Sequence, residues 1–513
     1  MFISKVPSEF LTHRLDCPYY HPEAMKLDYK FREYGNMKLL SQIISSKRKI
    51  TNGVRGPDIQ ASQYCLIRLQ DCQHWGINFD NCLTISEKQF NENRRCQLFE
   101  NDIVVAIGGY VGNASIARNV KLAVIGQHSA VLPYNPNGYY DERYLLAYLN
   151  SAIAEIQFQR YVSGSIQAGI NLEDLRDIPI PIPNKLAQSY IGDKVRLTER
   201  LRTRARQIEL FINDKFSFLL ANLKPKSKSW RVHRNNIESY RLNTSHYDAV
   251  IVDMLDKAKK QIDLLPLASL FGKRGISGGA TPQGAEYPEK GIFFVRVQNV
   301  KPLRLDLSDA AYLTPAQDAE LKRSRCQAGE IILSITGYPG VAAVVLEDDL
   351  PVNINQHSVR FDVCQGWEAE YIAAALNTTF LKMQVDRLAI GGTRIALDYA
   401  SISNLLIPVF PEATRKVIAH NVAISNRAIR ESERLTTAAK LLVEALIEGK
   451  LTEDELKNAQ LSLEKGAREP DKAILSRLTR KGIDVKDEPP LFPDIDALYE
   501  IIDQLDKDGE EEI

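Results

Sequence analysis

The triplet Gln127-His128-Ser129 places an imidazole beside a hydroxyl, and it occurs a second time as Gln356-His357-Ser358. A histidine activates a serine as a nucleophile only when the two side chains meet. Adjacent residues of a strand point to opposite faces, so we do not expect that contact here. The sequence also lacks the motifs GxxxxGK(S/T) and HExxH and the Asn/Asp-Pro-Pro-aromatic tetrapeptide of adenine methyltransferases. We therefore predict a chain with no catalytic residue, metal site or cofactor of its own.

Glutamine and arginine side chains near these triplets suit a different chemistry, the recognition of DNA bases. A glutamine offers the donor and acceptor pair that fits adenine, and an arginine fits guanine. The glycine-bounded loops at 109–112 and 337–340 each present a tyrosine, and glycine lets a backbone approach a phosphate closely. A tight turn with a packed tyrosine, and a buried strand for the triplet, are the structural alternatives. The candidates are Arg68, Gln70, Tyr110 and Gln127, and then Arg296, Gln298, Tyr338 and Gln356.

A second set of candidates comes from loops that differ between the two halves of the chain. Features present in both halves are evidence for a scaffold, whereas residues that read two different DNA half-sites should differ. Recognition usually lies on loops that a rigid frame holds in place. This set comprises Arg55, Gln60, Gln63, Ser165 and Gln167, and then Lys273, Arg274, Gln283, Thr393 and Arg394.

Basic residues between the two halves are candidates for contacts with phosphates, which give affinity without sequence preference. We select Arg196, Arg200 and Arg204 on a helical stretch, with Lys226 and Lys228 in the segment that follows it. An ordinary solvated helix face is the alternative.

The sequence patterns of the elements that must position these residues occur twice, with a period near 227 residues. Residues 67–71 recur at 295–299, the loop 109–112 recurs at 337–340, and residues 149–151 recur at 376–378. The order is preserved throughout. A period of this length corresponds to a whole domain with its connector and is too long for a solenoid.

Both copies show a mixed pattern of strands and helices. Apolar, β-branched runs predict strands at 64–69, 102–107 and 121–125, and again at 292–297, 330–335 and 342–346. Helical apolar spacing predicts one helix over 140–161 and another over 369–388. Extended segments ending in proline, at 172–182 and 397–410, close the two copies. We expect an α+β fold with a mostly antiparallel or mixed sheet.

A long helical pattern follows each copy. Apolar residues recur at three- and four-residue steps over 191–223 and 418–446, a spacing typical of a coiled-coil seam. The first helix, at about 37 residues, would extend about 55 Å, too far to be hidden in one domain of this size. We therefore predict a pair of antiparallel coiled-coil helices that separates two related domains in a pseudo-two-fold repeat. Two helices that each cap their own domain are the alternative.

These patterns divide the chain into five segments. We predict a first recognition domain at 1–183, a long helix at 184–223, a linker with the second recognition domain at 224–410, a second long helix at 411–450, and a short helix with an acidic tail at 451–513. Thr452 and Glu455 fit a capping box, so the short helix should start there and run to about 463. We expect weak order after Gly466, apart from a small helix at 495–505.

Composition is that of a globular protein, with 44% hydrophobic and 25% charged residues and a formal net charge of zero. The charge is uneven, because residues 483–513 hold twelve acidic and two basic residues, which leaves a net +10 on the preceding 482 residues. The acidic tail is either solvated or contacts a basic partner. The cysteine spacing predicts reduced thiols, and the lack of a signal peptide or an apolar span predicts a cytoplasmic protein that contacts no membrane.

The chain resembles the specificity subunits of type I restriction–modification systems over about residues 10–450. The resemblance lies in an order of elements that the second copy repeats: Gly109-Tyr110-Val111-Gly112, Gln127-His128-Ser129, residues 144–151, Gly164-Ser165 and residues 175–183. It implies two target-recognition domains that each read one half of a bipartite double-stranded DNA site in phage defence. It also implies that the helices act as a spacer and as a docking face.

The same resemblance implies partners that carry the chemistry. Two copies of a DNA adenine methyltransferase subunit would bring S-adenosylmethionine, and an ATP-dependent restriction subunit would bring ATP and Mg. The alternative is a protein-interaction scaffold of a related defence or methylation complex, with weak or lost DNA binding.

Overall fold

A computed structural model describes residues 6–7, 10–11, 17–44, 47–138, 140–162, 169–223, 231–234, 237, 244–282, 287–391 and 395–511. The chain divides into two compact units. Unit 1 comprises Met1–Leu201 with Arg430–Ile513, and unit 2 comprises Arg202–Ile429. Among the described residues, no helix is both long and apolar enough to cross a bilayer.

The helices are, in chain order, α1 (Pro22–Tyr34), α2 (Leu40–Ile43), α3 (Glu87–Glu92), α4 (Glu142–Leu149), α5 (Ala152–Tyr161), α6 (Leu172–Arg176), α7 (Lys185–Ser217), α8 (Ala249–Gln261), α9 (Pro315–Glu320), α10 (Ala369–Leu376), α11 (Thr379–Leu388), α12 (Tyr399–Ser403), α13 (Glu412–Ile447), α14 (Glu453–Glu464), α15 (Glu469–Ser476) and α16 (Ile495–Glu511).

The strands are β1 (Met37–Leu39), β2 (Thr51–Asn52), β3 (Cys65–Ile67), β4 (Cys72–Gln73), β5 (Gly76–Ile77), β6 (Leu83–Thr84), β7 (Ile103–Ala106), β8 (Ala114–Ile116), β9 (Ala123–Ile125), β10 (Ser129–Leu132), β11 (Pro179–Pro181), β12 (Leu264–Pro266), β13 (Phe271–Gly278), β14 (Ile292–Val295), β15 (Val300–Lys301), β16 (Arg304–Leu305), β17 (Ala311–Leu313), β18 (Ile331–Ser334), β19 (Ala342–Val344), β20 (Val352–Ile354), β21 (Ser358–Val363), β22 (Leu406–Pro408), β23 (Leu478–Thr479) and β24 (Gly482–Ile483).

The strand pairings of unit 1 occur again in unit 2. In unit 1, β3 lies between β6 and β9, antiparallel to β6 and parallel to β9. In unit 2, β14 lies between β17 and β20 with the same two orientations. A second sheet holds β7 between β10 and β8 in unit 1 and β18 between β21 and β19 in unit 2, all antiparallel. Each unit therefore has a mixed sheet and the three strands that the sequence predicted for it, β3, β7 and β9 in unit 1 and β14, β18 and β19 in unit 2.

One buried hydrogen bond ties a core helix to the closing strand in each unit. The hydroxyl of Tyr144 on α4 donates to the carbonyl of Pro181 on β11 at 2.8 Å. The hydroxyl of Tyr371 on α10 donates to the carbonyl of Pro408 on β22 at 2.5 Å. Both tyrosines are fully buried, so each hydroxyl needs such a partner. These twice-occurring residues are scaffold.

The predicted helices over 140–161 and 369–388 are each two helices, so the prediction of single helices was wrong. The break falls at Asn150-Ser151 in unit 1 and at Asn377-Thr378 in unit 2. Ser151 and Thr378 cap the second helix of their pair with their hydroxyls. The Asn150 amide exchanges two hydrogen bonds of 3.1 Å with the backbone of Ala114 on β8, and Asn377 does the same on β19. A side chain that bonds to backbone outside its own helix competes with helix continuation.

The two extended closing segments were also only partly correct. Residues 172–176 and 399–403 form the short helices α6 and α12 before the strands β11 and β22 begin. Asn171 and Asp398 cap these helices by accepting backbone N–H bonds, which explains why a helical turn precedes each strand. The proline-ended strands pair antiparallel with β1 and β12, respectively.

The long helices α7 and α13 contain 33 and 36 residues, and each contributes to both units. In unit 1, the Thr198 hydroxyl on α7 donates to the carbonyl of Ser432 on α13 at 3.2 Å. In unit 2, Ile212 and Phe216 of α7 share a buried core with Ile418 and Val422 of α13. α7 ends at Ser217, short of the predicted 223, because a 3-10 turn covers Phe218–Leu220. The linker predicted to follow falls mostly outside the described residues.

The expectation of weak order after Gly466 was wrong. The capping box of Thr452 and Glu455 starts α14 as predicted, and α15, the β23–β24 hairpin and α16 then follow. Leu475, Phe492 and Leu498 are buried in unit 1, which explains why this acidic segment folds. The small helix predicted at 495–505 is α16.

Candidate nucleic-acid interface

The candidate interface of unit 1 is built by three turns that follow buried strands. After β3, a 3-10 turn over Leu69–Asp71 carries Gln70. After β7, the glycine-bounded loop carries Tyr110, and the turn between β9 and β10 carries Gln127. Because β3 and β9 are parallel, their C-terminal ends lie at the same edge of one sheet. Side chains that are far apart in the sequence therefore meet there.

These turns border a cleft of about 640 Å³ within unit 1. Four predicted candidates, Arg68, Gln70, Tyr110 and Gln127, meet at this one cleft. The rest of its lining is mostly apolar, with a few polar groups: Val54, Pro57, Leu66, Leu69, Cys72, Leu83, Val104, Ala106, Asn113, Ser115, Gly126, His128 and Ser129.

Arg68 is held in a fixed orientation by its own turn. Its Nε and Nη2 each lie 3.0 Å from a carboxylate oxygen of Asp71, and its backbone N–H donates to the same carboxylate at 2.9 Å. The hydrogen bonds to Asp71 raise the pKa of Arg68, so the guanidinium stays charged. A guanidinium oriented by two parallel bonds offers its remaining N–H groups in one direction.

Tyr110 is 84% exposed because the glycines beside it pin the loop against α5. Gly109 and Gly112 have φ of +76° and +100°, a region that favours glycine. A Cβ at Gly112 would lie 2.6 Å from the ring of Phe158 on α5. The loop thus presents its tyrosine at the surface, and the alternative of a packed tyrosine is wrong for this residue.

The triplet at 127–129 divides between surface and core. Gln127 and His128 are exposed, and Nε2 of Gln127 lies 3.0 Å from Nε2 of His128. Ser129 begins β10 and is 1% exposed. In the described part of the chain its hydroxyl has no hydrogen-bond partner, and no bond joins it to His128. Only the first two residues of the triplet are therefore exposed at the surface, whereas Ser129 lines the cleft from a buried position.

Unit 2 carries its four candidates on the equivalent elements. Tyr338, which is 80% exposed, lies in the loop after β18, and Gln356 is exposed between β20 and β21. Arg296 donates to the backbone carbonyl of Asp309 at 2.6 Å, and the Gln298 amide donates to the Asp309 carboxylate at 2.8 Å. An acidic residue thus holds both Arg296 and Gln298 on this unit.

The divergent-loop candidates have different surroundings. Arg55, Gln60, Gln63 and Lys273 are exposed. The Arg274 guanidinium instead lies 2.5 Å from the buried carboxylate of Glu330 and donates to the Arg325 carbonyl at 3.1 Å, so it stabilises unit 2. Five candidates lie outside the described residues: Ser165, Gln167, Gln283, Thr393 and Arg394.

The candidates for phosphate contact lie on α7 where they are described. Arg196 is exposed and pairs with Asp193, and Arg200 lies 2.5 Å from Asp506 on α16. Arg204 is half-buried. Lys226 and Lys228 lie outside the described residues.

Two residues of the candidate interface were not predicted from the sequence. Asn113 lines the cleft of unit 1, and Asp309 holds the recognition candidates of unit 2. Asn113 directly follows the glycine-bounded loop, which was a signal that could have found it. Asp309 lies ten residues or more from its partners, and no pattern in the sequence joins them.

The region that holds the cleft matches a known protein family. Residues 26–210 match the family model of the type I restriction modification DNA specificity domain. The specificity subunit of the type I restriction enzyme EcoBI from Escherichia coli is 26% identical over 186 residues, which cover 34% of this chain and 36% of that subunit. The match therefore spans about a third of the curated relative.

Two solved structures share 14% sequence identity with the chain. The type I restriction–modification S subunit from M. genitalium covers 80% of this chain and 94% of its own, with a TM-score of 0.39. The HsdS subunit from Thermoanaerobacter tengcongensis covers 81% and 97%, with a TM-score of 0.28. At these TM-scores the assignment rests on the sequence match alone. Residues 26–210 are therefore similar to the type I restriction modification DNA specificity domain, the family that the sequence resembles.

Proposed function

We propose that the chain is the non-catalytic specificity subunit of a type I restriction–modification complex and that it binds double-stranded DNA. One observation carries the proposal: each unit presents an exposed tyrosine on a glycine-bounded loop, Tyr110 or Tyr338, and an exposed glutamine in a turn between two strands, Gln127 or Gln356. Aromatic rings and amides at a loop edge suit contacts with bases and sugars. The family match covers the unit 1 copy of this arrangement.

The site is bipartite in this proposal, with each unit reading one half. The two interfaces share their scaffold but hold the matching arginine differently, because Arg68 donates to the Asp71 carboxylate in unit 1 and Arg296 donates to the backbone carbonyl of Asp309 in unit 2. Different surroundings for matching side chains favour different half-sites. We further propose that α7 and α13, about 50 and 54 Å long at 1.5 Å per residue, pair as antiparallel coiled-coil spacers that set the gap between the half-sites.

The partners in this proposal supply the chemistry. Two DNA adenine methyltransferase subunits with S-adenosylmethionine, and a restriction subunit with ATP and Mg, would join the chain in a cytoplasmic phage-defence complex. The relative from Escherichia coli is by name the specificity subunit of a type I restriction enzyme, which supports this assignment.

Selection from a library of randomised duplexes by the full chain tests the proposal. We expect enrichment of two short conserved blocks with an unread gap, and binding that weakens steeply with salt. Gln127→Ala should relax preference in one block and Gln356→Ala in the other. Asp58→Asn, an exposed carboxylate outside the cleft, is the matched control and should leave both blocks unchanged.

The outcomes separate the proposal from its alternative. Absence of any salt-dependent duplex binding would leave the protein-interaction scaffold as the function. Enrichment of a single block, altered by both glutamine variants together, would overturn the bipartite assignment while keeping DNA binding.

A further inference from the structure

The cleft of unit 1 is larger than contacts to the edge of a duplex require. Its volume of about 640 Å³ lies within the range of small-molecule pockets, roughly 300–1,000 Å³. Leu66 on β3, Leu83 on β6 and Val104 on β7 form apolar walls behind the exposed turns. A groove that only touched base edges would have no need of an apolar interior.

A buried polar group also lines this space without a partner. The Ser129 hydroxyl, 1% exposed, makes no hydrogen bond in the described part of the chain, and neither does Ser358 at the equivalent position of unit 2, so the cleft around Ser129 and not the hydroxyl alone distinguishes unit 1. A buried hydroxyl without a partner costs stability unless a ligand or water satisfies it. The amides of Asn113 and Gln127 line the same cleft and offer further donors and acceptors.

The lining is almost neutral. Arg68 is its one permanently charged side chain, and Asp71 already holds two of the nitrogens of that guanidinium. Burial raises the pKa of Cys72 to about 12, so this residue lines the cleft as a neutral thiol. A ligand for such a site is flat or compact, uncharged, and carries hydrogen-bonding groups on one edge.

We infer that the unit 1 cleft receives one base of the bound DNA, extruded from the duplex, an inference that rests on the proposed function. A nucleobase is neutral, has an apolar face that can lie on Leu66 and Leu83, which are neighbours across the sheet, and has a polar edge for the Ser129 hydroxyl. Tyr110 lies at the opening, where its exposed ring can stack on the extruded base or on the base left behind. Extrusion costs a few kcal/mol, which such contacts offset.

Unit 2 carries a different pair of side chains at the equivalent position. Leu66 pairs across its sheet with Leu83, and the matching pair in unit 2 is Phe294 with Ala311. Phe294 is 1% exposed and stacks on Tyr287 with 5.9 Å between ring centroids. The substitution Leu66→Phe therefore introduces into unit 1 the residue that unit 2 carries there. Base extrusion belongs to the half-site of unit 1 in this scheme.

The test uses the full chain and a duplex obtained by the selection described above. The adenine analogue 2-aminopurine, whose fluorescence rises when it leaves the base stack, replaces each position of the half-site that Gln127→Ala affects. We expect a rise at one position on binding. Leu66→Phe should abolish the rise, and Ser129→Ala should shift the extrusion equilibrium by about five- to tenfold, since a hydrogen bond contributes about 1 kcal/mol. Ser358→Ala, the equivalent hydroxyl of unit 2, is the matched control and should leave the rise unchanged.

Fluorescence anisotropy of the same duplexes separates the two proposals. Duplexes that are not bound at all would contradict the proposed function. Bound duplexes with no rise at any position, or with an equal rise for Leu66→Phe and wild type, would overturn the inference alone. Should Leu66→Phe fail to fold, the comparison of Ser129→Ala with Ser358→Ala decides: equal rises overturn the inference.

Discussion

The ammonium of Lys194 on α7 lies 2.5 Å from Oδ1 of Asp471 on α15, 277 residues further along the chain. Both side chains are almost completely buried, at 2% and 4% exposure. The hydroxyls of Tyr190 and Tyr499 also donate to this carboxylate. A buried charge pair needs such hydrogen bonds to compensate for the loss of water. This cluster therefore fixes the C-terminal segment onto α7 within unit 1.

Removing one member of this pair should destabilise unit 1 strongly. Lys194→Met leaves the Asp471 carboxylate buried without its counter-charge, and we expect a loss of about 3–5 kcal/mol in the free energy of unfolding. Denaturant unfolding of the full chain measures it. Arg196→Met, two residues along the same helix and exposed, is the control and should cost under about 1 kcal/mol. Equal effects of the two variants would contradict a structural role for the buried pair.

The same carboxylate should make the stability sensitive to acid. Burial opposes ionisation of Asp471, but Lys194 and the two tyrosine hydroxyls outweigh it and lower the pKa of Asp471. The stabilisation is present above the pKa of an aspartate in the unfolded chain, about 3.9, and is lost as the pH falls through the lower pKa of the folded state. Unfolding measured between pH 7 and pH 3 should show a smaller acid loss for Asp471→Asn than for wild type. An unchanged slope would show that other carboxylates dominate.

Much of the fold was predictable because the sequence pattern occurs twice, so that the two copies could be compared with each other. Two copies of each strand pattern made the six strands and both long helices visible from residue types alone. The breaks at Asn150 and Asn377 were missed because the apolar spacing continues across them. The bond of each asparagine to a strand backbone is a tertiary contact that no local pattern encodes.

The sequence predicted four residues that line the cleft of unit 1 but not the shape of that cleft. Arg68, Gln70, Tyr110 and Gln127 were chosen from local chemistry, and the cleft joins all four. The apolar interior behind them comes from strand side chains that read as ordinary core in the sequence. The buried pair of Lys194 and Asp471 was not predicted, because its two members are too distant in the sequence to be associated with each other.

Two alanine substitutions in one loop should differ in cost. Both Gly109 and Gly112 have positive φ, which costs an alanine about 1–2 kcal/mol. Only at Gly112 would the new Cβ meet a ring, that of Phe158 at 2.6 Å, whereas at Gly109 the nearest atom, in Leu69, is 3.9 Å away. We expect Gly112→Ala to lower the free energy of unfolding by about 1–3 kcal/mol more than Gly109→Ala does. Equal losses in thermal or denaturant unfolding would argue that α5 does not pin the loop.

Substitutions at two adjacent basic residues of unit 2 should have different effects, one on stability and the other on DNA binding. Arg274 neutralises Glu330, a buried carboxylate that it shares with Arg360, so Arg274→Met should cost about 1–3 kcal/mol of unfolding free energy. Lys273 is exposed, so Lys273→Met should leave stability unchanged within about 0.5 kcal/mol and weaken duplex binding. Unfolding curves and duplex titrations on the same two variants provide both readouts. A destabilised Lys273→Met protein would contradict this division.

The acidic C-terminal helix should compete with DNA for the basic face of α7. Asp506 on α16 lies 2.5 Å from Arg200, one of the candidates for phosphate contact. Asp506→Asn frees that guanidinium, so we expect tighter duplex binding and a salt dependence, log Kd against log salt, steeper by about 0.9 for one added phosphate contact. The preferred sequence should not change, because phosphate contacts carry no sequence information. Asp496→Asn removes the same charge from α16 but frees Lys472 instead, and it controls for net charge.

An equal gain in duplex affinity for the two variants would mean that the total charge, and not the release of Arg200, governs binding. Arg200 would then no longer stand as a phosphate contact.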